Sequence, residues 1–169
     1  MKTILSDKFK RILKAKKILE KNLNVKITNR GKEIKISGKP EEEYDAEKVI
    51  EAINFGFSIP TALLIKTHEY VFEVIPIKNY TTRKDLMRIK ARIIGKKGKT
   101  LKTLNQLTKC YFETKGYEVG IIGDPEYIEN AQNAVISLIK GSKQGNVYAY
   151  LEKHQIKPIY DLGLKKQKP

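Results

Sequence analysis

The apolar positions change their period along the chain, and each change marks an element. Residues 69–78 are rich in β-branched and aromatic side chains, the composition of a strand. A basic stretch follows, which Thr81 or Thr82 can cap and which runs as a helix to about Ile94. Residues 95–98 break that helix. Leu101, Leu104 and Leu107 then recur at helical spacing over 99–109. Two strands, 110–114 and 118–122, surround the turn Lys115-Gly116-Tyr117. Pro125 suits a helix's first turn and opens a long helix to about Lys140. Its apolar stripe is Ala131, Ala134, Val135, Leu138 and Ile139. Gly141 ends it, and a short helix over 147–154 follows. The order is strand, helix, helix, strand, strand, helix.

The chain also matches itself at a spacing of 85 residues. That register pairs Gly31 with Gly116, Glu33 with Glu118, Ile36 with Ile121, Gly38 with Gly123, Pro40 with Pro125 and Gly56 with Gly141. Glycine and proline each impose a backbone geometry, so their pairing points to two copies of one unit. In the first copy a helix passes through Ile18 and Leu19, with strands near 25–28 and 33–37. Helices over 41–55 and 58–66 complete it. The second copy's opening strand would map before Met1, so the first copy is expected to lack or shorten its opening strand and helix. Residues 1–5 are a candidate substitute strand.

The net charge of +15 changes the picture, because a basic surface of this size favours polyanions. The charge is segregated. Between Arg83 and Lys109 the only acid is Asp85, whereas Glu41, Glu42, Glu43, Asp45 and Glu47 cluster elsewhere. The acidic run favours a helix start through the macrodipole and needs no metal. Apolar runs such as 71–77 are too short and interrupted to span a bilayer. Lysines and arginines fill the N-terminal segment where a signal peptide would be apolar, so a cytoplasmic location is expected. The glycosylation-type triplet Asn79-Tyr80-Thr81 then carries no meaning. Cys110, the only cysteine, reads as a small core residue on a strand. His68 and His154 have no ligand-spaced partners and read as surface residues. Tyr148 and Tyr150 are expected to pack on the preceding helix. No catalytic constellation or cofactor motif stands out.

The chemistry concentrates at Gly95-Lys96-Lys97-Gly98, between two predicted helices. Without a Cβ, glycine lets a nucleic-acid backbone approach closely. The helix after the loop points its first amides and positive dipole end at the same place. Lys96 and Lys97 add mobile charge, and Ile93 and Ile94 offer an apolar ledge for bases. Arg88, Arg92, Lys99 and Lys102 extend the candidate RNA-binding set. Gly98-Lys99-Thr100 imitates the end of a nucleotide-binding P-loop. Ile93 stands where that motif needs its first glycine, and a basic helix stands where it needs a strand. The equivalent positions of the first copy are Lys10-Arg11-Ile12-Leu13, with no glycine. The first copy therefore reads as a scaffold or a general electrostatic surface.

The run 92–101 resembles the isoleucine-glycine-x-x-glycine-x-x-apolar signature of the KH module, whose loop clamps about four single-stranded nucleotides. The resemblance implies an α+β fold of two type I KH-like modules. Each is a three-stranded antiparallel sheet with helices packed on one face, and the first is truncated. The expected division is 1–67, 68–157 and a basic flexible tail at 158–169. Together with Ile121-Ile122-Gly123-Asp124-Pro125-Glu126, Gly145-Asn146-Val147-Tyr148, Leu151-Glu152 and Gly56-Phe57-Ser58, the chain looks like the archaeal KH proteins of small-ribosomal-subunit maturation, relatives of the eukaryotic partner-of-Nob protein. The family implies binding near the 3′ end of small-subunit ribosomal RNA or its precursor. It also implies two protein partners, a Nob-type endonuclease and the alpha subunit of archaeal initiation factor two. The glycine-free first loop departs from the family pattern. The residues alone leave open a KH subunit of another RNA machine, exosome-like, a messenger-RNA regulator, or a basic structural adaptor.

Overall fold

The computed structural model describes residues 1–155 of the 169-residue chain. The expected tail at 158–169, and the last two residues of the expected 68–157 module, lie outside the described residues. Two three-stranded antiparallel sheets organise the rest. In the first, β1 (Lys2–Leu5) and β2 (Lys26–Arg30) flank β3 (Glu33–Ser37). In the second, β4 (Val71–Pro76) and β5 (Tyr111–Lys115) flank β6 (Glu118–Gly123). The helices of the first half are α1 (Phe9–Lys14), α2 (Lys16–Leu23), α3 (Pro40–Phe55) and α4 (Ile59–Thr67). Those of the second are α5 (Leu86–Ile94), α6 (Lys99–Thr108), α7 (Pro125–Ile139) and α8 (Gln144–Lys153).

The 85-residue register holds at the level of strand pairing, since β2 and β3 map onto β5 and β6, and Pro40 and Pro125 both open their helices. The opening strands break it. Ile36 pairs with Lys2 while its counterpart Ile121 pairs with Glu73, so the opening strands are 71 residues apart rather than 85. The first module therefore keeps its opening strand, cut to four residues, and has lost fourteen residues after it. The loss falls on the helix and the loop. Residues 10–13 lie within the six-residue helix α1, and Ile12 is wholly buried in the core.

Two elements begin elsewhere than the pattern suggested. The cap of α5 is Asp85, whose carboxylate accepts the Arg88 amide at 3.2 Å; Thr81 is extended and follows a short 3₁₀ turn, Ile77–Tyr80. Helix α8 starts at Gln144, three residues before the expected position. The acidic run works as a helix start. Glu43 accepts the Gly38 amide at 3.0 Å and pairs with the N-terminal ammonium, and these contacts hold its carboxyl below the usual range.

Strand β6 is buried on both faces. Val119 and Ile121 join the core beneath α5, α6 and α7, whereas Ile122 belongs to the core of the first module. Phe55, Phe57 and Phe72 pack together at that junction, with ring centroids 5.7–6.0 Å apart. Their rings lie directly on the backbone at Gly120. A Cβ there would stand 2.6 Å from Phe55 Cε1 and 3.0 Å from Phe57 Cε2. Both rings are buried, so they have no room to yield. Gly120→Val is therefore expected to cost about 1–3 kcal/mol through overpacking. Thermal melting checks this, and an unchanged melting temperature would contradict the close approach.

Candidate nucleic-acid interface

Helix α5 leaves its last turn at Ile94, and α6 begins at Lys99. Three of the four residues between them have positive φ: Gly95 at 75°, Lys97 at 54° and Gly98 at 74°. The two glycines serve different ends. Gly95 has φ 75° and ψ 171°, a region open almost only to glycine. A Cβ at Gly95 would also collide with the Thr100 hydroxyl and come within 2.7 Å of the Thr100 amide nitrogen. Gly95 is thus demanded by the turn itself. Nothing lies within 4 Å of a Cβ at Gly98, so that position faces open space. Gly98 is also the N-cap of α6, and no side chain caps the helix there. The Lys99 amide donates to the Lys96 carbonyl within the turn, and the positive end of this ten-residue helix lies beside Gly98.

The predicted site residues divide into two groups. Lys96, Lys97, Lys99 and Lys102 are exposed around the loop, and Ile94 and the two glycines are half-buried beside them. The others are directed elsewhere. Ile93 is wholly buried, one helical turn from Ile89 on the core face of α5, so it offers bases no surface. Arg92 turns its guanidinium to the end of α7, donating to the Leu138 carbonyl at 3.1 Å and to the Ser142 carbonyl. Arg88, one turn earlier, lines the same cleft with Arg83 and Gly141. These arginines meet the negative end of α7 rather than the loop.

A cleft of about 380 Å³ lies along α6, beyond the turn. Leu101, Lys102 and Asn105 form one wall, Tyr111, Phe112 and Glu113 of the edge strand β5 form another, and Phe57, Ser58 and Thr61 of the first module close the third side. Tyr111 is exposed, and Phe112 and Leu101 are partly so. An apolar floor with an aromatic edge beside a phosphate-sized opening suits unpaired bases. The sequence signal for the β5 wall is the aromatic pair Tyr111-Phe112 at the start of a strand. On the α6 wall, Leu101 stands out in sequence for its helical spacing, and Lys102 belongs to the candidate RNA-binding set.

Ion pairing separates the two modules. Six ion pairs occur among the described residues: Met1 amine–Glu43, Lys2–Glu47, Lys16–Glu20, Lys32–Asp7, Lys48–Glu51 and Lys66–Asp45. All lie before Val71. Among the described residues, no lysine or arginine of the second module pairs with an acid. The balance of charge is the same in both halves, with fifteen lysines and arginines against nine acids in 1–67 and again in 68–155. In the second, the lysines gather around the 95–98 turn, where a polyanion can meet them. The groups that could do chemistry are placed otherwise. Cys110 is buried, and burial pushes its thiol up to about 11, so it stays protonated near neutrality. His154 stacks on Tyr150, and His68 is exposed beside Thr67. Tyr148 packs against the second core.

Comparison with known proteins agrees with this geometry. The family model for the second KH domain of PNO1 proteins, described as eukaryotic type KH-domain (KH-domain type I), matches residues 71–156. The chain is 32% identical over 149 residues to the KH domain-containing protein MJ0443 of Methanocaldococcus jannaschii, covering 84% of this chain and 66% of that one. It is 32% identical over 111 residues to the pre-rRNA-processing protein pno1 of Aspergillus fumigatus, covering 63% and 44%. The chain thus spans just under two thirds of the archaeal relative and less than half of the fungal one. Among solved structures it is similar to Dim2p from Pyrococcus horikoshii OT3, with TM-score 0.80, 29% identity, and coverage of 90% of this chain and 98% of that one. It matches the Dim2p complex with a/eIF2α and rRNA from the same organism equally, at TM-score 0.80 and 29% identity, over 91% and 93%. The chain belongs to the PNO1-type family of type I KH-domain proteins.

Proposed function

We propose that this chain is a single-stranded RNA-binding factor of small-ribosomal-subunit maturation, acting in the cytoplasm near the 3′ end of small-subunit ribosomal RNA. It is a binding protein rather than an enzyme, and its two modules divide near residue 68. The observation that carries the RNA reading is the 95–98 turn. Its open glycine, uncapped helix start and four exposed lysines converge where a phosphate can sit. A backbone phosphate passing Gly98 meets the positive end of the α6 dipole. Lys96, Lys97, Lys99 and Lys102 neutralise its neighbours. The following nucleotides lay their bases into the cleft between α6 and β5.

The ribosomal role rests on kinship. The fungal relatives are named pre-rRNA-processing proteins, and the Pyrococcus Dim2p was crystallised with a/eIF2α and rRNA. By extension, the partners proposed here are small-subunit ribosomal RNA or its precursor, the alpha subunit of archaeal initiation factor two, and a Nob-type endonuclease. A contact of about four nucleotides is modest, and it lets the factor leave once the RNA is cut or refolded.

Two outcomes follow. Gly98→Asp places a carboxylate where phosphate passes, in open space and in a conformation that aspartate tolerates. Single-stranded RNA binding is expected to weaken at least about tenfold, or roughly 1.4 kcal/mol, with circular dichroism and melting temperature nearly unchanged. Unaltered affinity in the folded variant rejects the site. In cells, the protein is expected to sediment with precursor small subunits and to be scarce on translating ribosomes, and its depletion should leave small-subunit RNA with an untrimmed 3′ end. Correct processing after depletion, with the protein found on messenger RNA or an exosome, would reject the assembly role and keep the loop.

A further inference from the structure

The 95–98 turn is held in shape by a residue of a different helix. Within the turn the Gly95 amide donates to Ala91 at 2.9 Å, the Gly98 amide to the Gly95 carbonyl at 3.2 Å, and the Lys99 amide to the Lys96 carbonyl. The two glycines permit positive φ without imposing it, and at Lys97 it is unfavourable, so the shape also depends on its surroundings. Those surroundings meet at Gln144, the first residue of α8. Its side-chain nitrogen lies 3.2 Å from the Arg92 carbonyl oxygen and 3.2 Å from the Thr100 hydroxyl. A carbonyl only accepts, so the amide NH2, not the amide oxygen, faces the loop. Arg92 stands three residues before the turn and Thr100 two residues after it.

The contacts form a closed circuit. The Arg92 guanidinium donates back to Leu138 at the end of α7 and to Ser142 in the link to α8. Gln144 then returns from that link to the Arg92 carbonyl and across to Thr100. Thr100 is buried, and its hydroxyl occupies the space that a Cβ on Gly95 would fill. Moving Gln144 therefore frees both ends of the turn together. We infer that Gln144 is a positioning residue: docking of α8 through its side chain sets the turn in the phosphate-gripping shape, and release of α8 loosens the grip. The inference rests on the reading of the turn as the phosphate site, and Gln144 itself touches no RNA.

A double-mutant cycle on the full chain tests it, using Gln144→Met and Thr100→Val, both of similar size to the residues they replace. The readouts are affinity for a short single-stranded RNA, its salt dependence, and amide hydrogen exchange. Gln144→Met, which breaks both contacts, is expected to weaken binding about five- to tenfold. Thr100→Val, which breaks one, should weaken it less, and the double variant should lose no more than Gln144→Met alone. The slope of affinity against salt should stay constant, since no phosphate contact is removed. Exchange should quicken at 95–100 while the amides of β5 and β6 keep their protection. A role confined to stability predicts instead a lower melting temperature, uniform loss of protection and unchanged affinity of the folded fraction, and that result overturns the proposal. Gly98→Asp is measured alongside. If it weakens binding and Gln144→Met does not, the positioning role is wrong and the phosphate site stands. If neither weakens binding, the phosphate site falls and the positioning role falls with it.

Discussion

Gly95 and Thr100 approach each other so closely that no side chain fits between them, and the geometry of the second module's RNA face follows from that contact. The approach forces the chain through positive φ at Gly95, Lys97 and Gly98. It also sets the positive end of α6 beside Gly98, with no side chain capping the helix. The exposed lysines are then a consequence of position, because the turn projects them and no acid answers them. The first module lacks all of this for one reason. Fourteen residues are missing between β1 and α2, and the short helix α1 closes the gap by burying Ile12 where the second module opens a turn.

Most of the fold was legible because its signals are local. The repeat in glycine and proline spacing survives as strand pairing, and Glu33–Ser37 and Pro125–Ile139 begin where the pattern placed them. The candidate turn was legible for the same reason: two glycines and two lysines between helices specify their own geometry. Long-range contacts were not legible. Arg92 looked like an RNA contact because it is basic and next to the turn, yet it reaches Leu138, 46 residues away. Ile93 looked like part of a ledge, but its spacing from Ile89 turns it into the core. Gln144 carried no signal at all, because nothing near it in sequence reveals that it meets residues 44 and 52 positions earlier.

The junction of the two modules shows the same limit. Gly120 looked like an ordinary strand residue, and its lack of a side chain acquires meaning only when Phe55 and Phe57 arrive from the first module. The first module covers the outer face of β6 and also supplies Phe57, Ser58 and Thr61 to the cleft between α6 and β5. The two modules carry the same balance of charge and differ in how it is placed. Acids in the first are taken up in ion pairs and helix starts, whereas the lysines around the 95–98 turn of the second are exposed, and an external anion can satisfy them.

The central claim is that a single strand of RNA passes over Gly98 and into the cleft between α6 and β5. Amide chemical shifts during titration with a four-nucleotide RNA test it most directly. The predicted result is that the largest shifts fall at residues 95–102 and at Tyr111, Phe112 and Glu113, with shifts in the first module limited to the cleft wall at Phe57, Ser58 and Thr61. Shifts confined to the first module, or to the arginine cleft at the end of α7, would contradict it.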